Sequence, residues 1–244
     1  MTTKRAAGAL LNSLVLAAAL GASSMAQADV LTFEDAPGPI AFAGSEYTFG
    51  NYWVQTLDNV NEGDMAGNFI NGADQADICF DLRCPVNNQT GYLATLNDGY
   101  FAFGLTNGSL FTLDSMRVSF IGTGQTSFPV VSGLLILAGF DANFNLIQTS
   151  SQIAVGGPGT NGQFSFANAN LGAFADTAFA AVRVLGYACN AAGSCSRAGN
   201  AAAFAFDDIV TTSEAVAVVP EPASWLLIGL GLLGLGAVKR KRAL

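Results

Sequence analysis

Residues 133–153 read GLLILAGFDANFNLIQTSSQI. An apolar run ends at Asp141-Ala142-Asn143, and a second run begins at Leu146. Two short apolar segments around an Asp/Asn turn have the length and punctuation of a β-hairpin, not of a helix. The same pattern extends outward in both directions. Residues 30–34 (VLTFE) alternate. Residues 100–105 (YFAFGL) follow the turn signal Asn97-Asp98-Gly99, and residues 110–113 follow Asn107-Gly108, a strong hairpin dipeptide. In residues 116–121, Met116, Val118 and Phe120 share one face, while Arg117 and Ser119 share the other. Residues 179–187 and 202–210 complete the series. Strands at this spacing predict an all-β fold, a single sandwich over residues 29–215, with the alternating Phe residues as its core.

Composition narrows the chemistry. Of 244 residues, 51% are hydrophobic and 11% charged, which excludes a disordered acidic chain. His is absent. That removes Ser-His-Asp triads, Cys-His pairs, His-ligated zinc and imidazole acid/base catalysis. Six of the ten Lys+Arg lie at the two ends, as Lys4, Arg5 and residues 239–242. Between Asp29 and Val219 lie only Arg83, Arg117, Arg183 and Arg197, against seventeen of the eighteen acids, for a net charge of −13 over that region. So acidic a body repels nucleic acid and anionic headgroups. It suits neutral partners, or cations that bridge it to acidic polymers.

The ends carry addresses. Residues 1–28 have the parts of a secretory signal peptide: Lys4 and Arg5, an apolar stretch over 9–20, and Ala26-Gln27-Ala28 as cleavage site, with Asp29 the first mature residue. Residues 219–225 read VPEPASW and lead into an apolar run over 223–238, which stops at the basic cluster 239–242. As a helix that run is about 24 Å long, and snorkelling basic side chains with an interfacial Trp225 would fit it to a bilayer. The positive-inside rule holds the basic end in the cytoplasm. The physics alone predicts a periplasmic body held by one transmembrane helix.

Pro220-Glu221-Pro222, the Gly/Leu-rich span and the basic tail together resemble the PEP-CTERM sorting signal of Gram-negative bacteria, a region also catalogued as an ice-binding protein C-terminal domain. The resemblance covers residues 216–244. It implies that exosortase, a membrane-embedded cysteine protease, recognises Pro220, Glu221 and Pro222. It further implies passage through the inner membrane, then delivery to the cell surface or the extracellular polysaccharide matrix. No repeated T-x-T ladder suggests an ice-binding solenoid. LTFED, GSLFTLDSMRVSF, GLLILAGFDANFNLI and FAFDDI also look like the strands of the jelly-roll ectodomains common among such proteins.

Three groups of residues are candidates for a site. Cys79 and Cys84 enclose four residues, and Cys189 and Cys195 enclose five. In an oxidising compartment two local disulfides are the simplest of the three connectivities, and the spacing is unlike zinc sites. Glu34-Asp35 ends the first strand, and Asp207-Asp208 sits in the last. If the terminal strands are neighbours, these four could hold a structural calcium, with Asp208 turned inward in phase with Phe204 and Phe206. Solvated strand ends are the plainer account. The loop from Asp58 to Asp77 holds Glu62, Asp64 and Asp74 without EF-hand spacing, which makes it a solvated loop. Finally, residues 47–53 (YTFGNYW) are the densest aromatic stretch. Alternation sets Tyr47, Phe49 and Trp53 apart from Tyr52 unless Gly50 introduces a bulge. Core packing is their plain role, and a sugar platform the alternative.

The expected function is a non-catalytic, exported surface or matrix protein associated with exopolysaccharide and biofilm. A carbohydrate-binding module with one defined glycan is the alternative, followed by a secreted polysaccharide hydrolase or lyase.

Overall fold

The computed structural model describes residues 27–58, 63–75 and 78–213. Residues 1–26 of the expected signal peptide, the sorting motif and the transmembrane run lie outside these residues, while Gln27 and Ala28, the last two of that peptide, begin the first strand. Glu62 and Asp77 of the acidic loop also lie outside them.

The described residues form two antiparallel sheets, packed face to face, with a small two-stranded ribbon. In chain order the strands are β1 (Gln27–Leu31), β2 (Ile40–Phe42), β3 (Glu46–Phe49), β4 (Tyr52–Leu57), β5 (Met65–Asn71), β6 (Leu82–Arg83), β7 (Gly91–Thr95), β8 (Tyr100–Leu105) and β9 (Phe111–Phe120). They continue as β10 (Gly122–Thr123), β11 (Val131–Phe140), β12 (Leu146–Thr149), β13 (Ile153–Gly156), β14 (Ala167–Asn168), β15 (Ala178–Phe179), β16 (Ala181–Cys189), β17 (Cys195–Ser196) and β18 (Phe204–Ser213). The first sheet has the order β14-β9-β18-β7-β5-β2, with β1 also on β18 and β15 on β9. The second has the order β12-β11-β16-β8-β4-β3, with β13 on β11 and β17 on β16. The terminal strands are neighbours: Val30 opposes Val210 and Leu31 opposes Ile209.

Phe residues from both sheets fill the space between them. Phe101 and Phe103 of the second sheet meet Phe206 and Phe111 of the first at 4.9 and 5.7 Å between ring centroids. Fully burying such rings contributes about 2–3 kcal/mol each. Glycines in the second sheet admit rings from the first. A Cβ on Gly186 would lie 2.2 Å from the Phe204 ring, and one on Gly133 would lie 2.6 Å from it. These strand glycines are sockets for close packing, not turn markers.

The hairpin over residues 133–153 forms: β11 pairs with β12, Ala138 opposite Thr149. The second run splits into β12 and β13, and both lie on β11. The hairpin at Asn107-Gly108 does not form. β8 belongs to the second sheet and β9 to the first, so this turn crosses the sandwich. Phe103 and Phe111 face each other across the core, which side-by-side strands would not allow. The two segments expected over 110–113 and 116–121 merge into one ten-residue strand, β9, from Phe111 to Phe120.

Candidate ligand face

The two outer faces of the sandwich differ, and the difference locates the site. On the first sheet, Ile70, Tyr92, Ala94, Ala203 and Ala205 point away from the main core yet are buried. The segment carrying Ile78, Cys79, Leu82 and Cys84 packs on them, as does Phe166, to make a second small core. Tyr92 lies edge-on to Phe166 at 5.4 Å, and burial pushes its phenol pKa above the ordinary range.

On the second sheet no described segment packs over the outer face in this way. Antiparallel register puts directly opposed residues on one face. Phe140 opposes Ala181, Ala181 opposes Gly104, and Gly104 opposes Trp53. In the next row Ala138 opposes Arg183, Arg183 opposes Ala102, and Ala102 opposes Gln55. Leu57 opposes Tyr100, and Leu134 opposes Tyr187. Small residues thus floor a shallow trough that runs across the strands. Phe140 and Trp53 stand at its ends, three strand spacings or about 14 Å apart. Trp53, Tyr100, Phe140 and Tyr187 are all half-buried. The indole Cζ2 and Nε1 of Trp53 occupy the place of a Cβ on Gly104, 2.8 Å from where it would sit, so only glycine there lets the ring recline on the sheet.

Two arginines converge on this face. The Arg183 guanidinium lies 5.1 Å from the Phe140 ring centre and 5.8 Å from that of Tyr100. Arg197 lies 4.7 Å from the centre of the Tyr100 ring and donates from Nη2 to the Asp98 carbonyl at 2.8 Å. Asp98, in a left-handed turn at φ 60°, accepts from the backbone N–H groups of Asn200 and Ala202 at 2.9 and 2.8 Å. It thereby ties down the loop that carries Arg197. The Nε atoms of both arginines are buried without a hydrogen-bond partner. Among the described residues the one ion pair joins Arg117 to Asp208, on the first sheet. Such a face offers ring surfaces to the apolar sides of a sugar and guanidinium donors to its oxygens.

Core packing, the plain role expected for the stretch 47–53, holds for Tyr47, Phe49 and Tyr52, but alternation grouped Trp53 with Tyr47 and Phe49 and set Tyr52 apart, and the structure does the reverse. Gly50-Asn51 is a two-residue hairpin turn, with Phe49 opposite Tyr52 and Thr48 opposite Trp53. A hairpin returns opposed residues to the same side, so Tyr47, Phe49 and Tyr52 face the core and Trp53 faces out. Tyr52 is buried with its hydroxyl 2.7 Å from Thr211 Oγ1, and burial raises its pKa to about 12. Sequence reasoning passed over Tyr100, Phe140, Arg183, Tyr187 and Arg197. The alternation of Tyr100, Ala102 and Gly104 against Phe101, Phe103 and Leu105 held the signal for one strand, but nothing local ranked the two faces.

The four acids proposed for calcium do not assemble. Among the described residues no group of three or more His, Cys, Asp or Glu is placed to hold a metal ion. Asp207, not Asp208, is the buried acid, at 0% exposure. A bulge follows it, in which Asp208 takes φ 47° and turns out to meet Arg117 at 2.9 Å. Asp207 Oδ2 accepts from Asn88 Nδ2 and Thr90 Oγ1 at 2.8 and 2.9 Å. Burial raises the Asp207 pKa above the usual carboxylate range, against the lowering effect of these donors. Glu34 accepts instead from the Gly91 backbone at 2.9 Å, and Asp35 is exposed. The cysteines pair locally, Cys79 with Cys84 and Cys189 with Cys195. The first bridge lies in the segment that covers the first sheet, the second in the β16–β17 hairpin at the end of the other.

The described residues therefore define a two-sheet antiparallel sandwich with one open aromatic face. Residues 218–241 match the family of the PEP-CTERM protein-sorting motif, and the chain carries that motif at its C-terminus. The motif marks an exported protein that exosortase processes for anchoring at the cell surface. No curated protein sequence matches the chain. Among solved structures it is similar to a DUF4465 family protein from Bacteroides caccae, at 12% identity, with 76% of this chain and 98% of that one covered and a TM-score of 0.49. It is similar also to a variant of the family 29 carbohydrate-binding module CBM29-2, at 9% identity, 77% and 93% coverage and a TM-score of 0.35. A third is the C-terminal family 22 carbohydrate-binding module of Clostridium thermocellum Xyn10B, at 13% identity, 75% and 99% coverage and a TM-score of 0.31.

Proposed function

We propose that this protein is a non-catalytic surface or matrix protein that holds exopolysaccharide on the open face of its second sheet. One observation carries the reading: an indole laid on Gly104 and a tyrosine flanked by two arginines stand on an uncovered sheet. Exposed rings on a rigid sheet offer stacking area at little entropic cost. The sorting motif supports the matrix as destination. Asp207, the described carboxyl with a raised pKa, is sealed by Asn88 and Thr90, out of reach of a substrate. That supports binding over hydrolysis or lysis. A module for one defined glycan is the second reading, favoured by the ordered rows between Phe140 and Trp53.

The test is native electrophoresis of the full chain, in detergent, through gels with and without exopolysaccharide from an exosortase-bearing host. Retardation that Trp53→Ala abolishes is the expected result. Equal mobility of both proteins in all gels would remove the face as a binding surface. A glycan array then separates broad from single-glycan binding.

A further inference from the structure

We propose that the open face recognises a carboxylate-bearing polysaccharide, a chain containing uronic acid, through Arg183 and Arg197. The inference rests on the reading of this face as a polysaccharide surface and names the chemistry of its ligand.

Charge placement is the first argument. The body carries four arginines against seventeen acids. Arg117 is neutralised by Asp208. Arg183 and Arg197 both approach Tyr100 on the open face, and neither belongs to an ion pair among the described residues. Two guanidinium groups that share the Tyr100 ring, both outside any ion pair among the described residues, leave positive charge for a ligand to meet. A neutral glycan would need rings and neutral donors only.

Pre-organisation is the second. Arg183 rises from the trough floor between Ala138 and Ala102, whose short side chains leave the strands on either side of it low. The rings of Phe140 and Tyr100 flank its guanidinium. Asp98 fixes the loop carrying Arg197. A planar fork held in this way matches a carboxylate in a paired, two-point contact. Meanwhile Trp53 and Phe140 can stack on the pyranose rings to either side.

The third argument is contrast with the rest of the surface. An acidic body repels a polyanion at long range, so an acidic chain can settle only where cations are local. Composition pointed to neutral partners, or to acidic polymers bridged by cations, and at this trough the arginines stand where the bridging cations would.

The experiment compares retention of the full chain, in detergent, on polygalacturonate, on the same polymer with its carboxyls reduced to alcohols, and on dextran sulfate. Wild type should bind polygalacturonate about tenfold more tightly than the reduced polymer, as one charged hydrogen-bonded contact allows. Arg183→Gln and Arg197→Gln should each lose about that factor on polygalacturonate and clearly less on the reduced polymer, so that the preference for the carboxylate collapses. Arg183→Lys should recover only part, since a point charge lacks the fork. Matching melting curves for the two Gln variants would show that the fold is kept, and the Arg197 variant stands alone should the Arg183 variant unfold. Equal wild-type binding to both galacturonan polymers, still lost in Trp53→Ala, would overturn carboxylate recognition and leave the polysaccharide face standing. Binding to dextran sulfate as tight as to polygalacturonate would reduce the arginines to unselective charge and overturn the proposal. No retention on any polymer, or self-association that Trp53→Ala abolishes, would overturn the face reading itself.

Discussion

Among the described residues the outer face of the first sheet is covered and that of the second is not, although both faces are apolar. On the first, the disulfide-bridged segment around Cys79–Cys84 and the strand end at Phe166 bury Tyr92 and Ile70. On the second, Trp53, Tyr100 and Tyr187 stay half-exposed. A covered ring is there for stability. An uncovered ring costs hydration and calls for another reason. The two faces thus divide folding from recognition within one sandwich.

Substitution of the rings tests that division most sharply. Tyr92→Ala should leave a cavity under the covering segment and cost about 3–5 kcal/mol, read from denaturant unfolding. Trp53→Ala, on the open face, removes the larger side chain and should cost no more than about 1 kcal/mol. Similar costs for the two would erase the distinction between the faces.

The bridges offer a second test. Cys79→Ser with Cys84→Ser frees the cover of the first sheet. Loop closure accounts for about 2 kcal/mol for so short a loop, and loosened packing on Tyr92 adds to it. Removing the Cys189–Cys195 bridge should cost less, because it closes an exposed hairpin rather than a cover. Thermal unfolding of the two variants under oxidising conditions gives the order, and the reverse order would place the structural cover on the wrong sheet.

A smaller effect is expected at Asp207, buried on the first sheet against Asn88 and Thr90. Its pKa is raised in the folded protein by burial, so folding takes up a proton. The resulting stabilisation is complete below the unfolded carboxylate pKa and is lost as pH rises through the folded one. Asp207→Asn should therefore melt increasingly above wild type as pH climbs from about 4 towards neutrality. A constant difference between the two melting curves across that range would show that Asp207 is not held by desolvation.

Last comes Asp208, whose partly exposed pair with Arg117 should contribute less than about 1 kcal/mol. Asp208→Asn should scarcely move the melting temperature, and less in high salt. A large loss would make this pair part of the cover rather than its rim.

Much of the strand layout was legible because alternation and turn dipeptides are local signals. Residues 100–105 and the hairpin at Asp141 appear where the pattern puts them. Asn107-Gly108 misled because a tight turn constrains only the backbone between two strands. Whether they pair or part into two sheets depends on what Phe103 and Phe111 meet across the core. Asp208 misled because phase counting assumes an unbroken strand, and the bulge after Asp207 resets the phase. The trough was illegible for a further reason: its residues come from four strands, and only their register makes them neighbours.

By itself, then, the sequence determined that this chain is all-β, that its cysteines lie close enough to pair locally, and that its end carries a sorting motif. These are matters of period, spacing and short contiguous pattern. Tertiary structure alone decided that Asp207 rather than Asp208 is buried, that Trp53 rather than Tyr52 faces out, and that Arg183 and Arg197 meet at Tyr100. Period-two alternation assigns residues to two faces but says nothing of what will cover each. That depends on which distant segment has the length and the apolar side chains to fold over it, a property of the whole chain that no window of sequence contains.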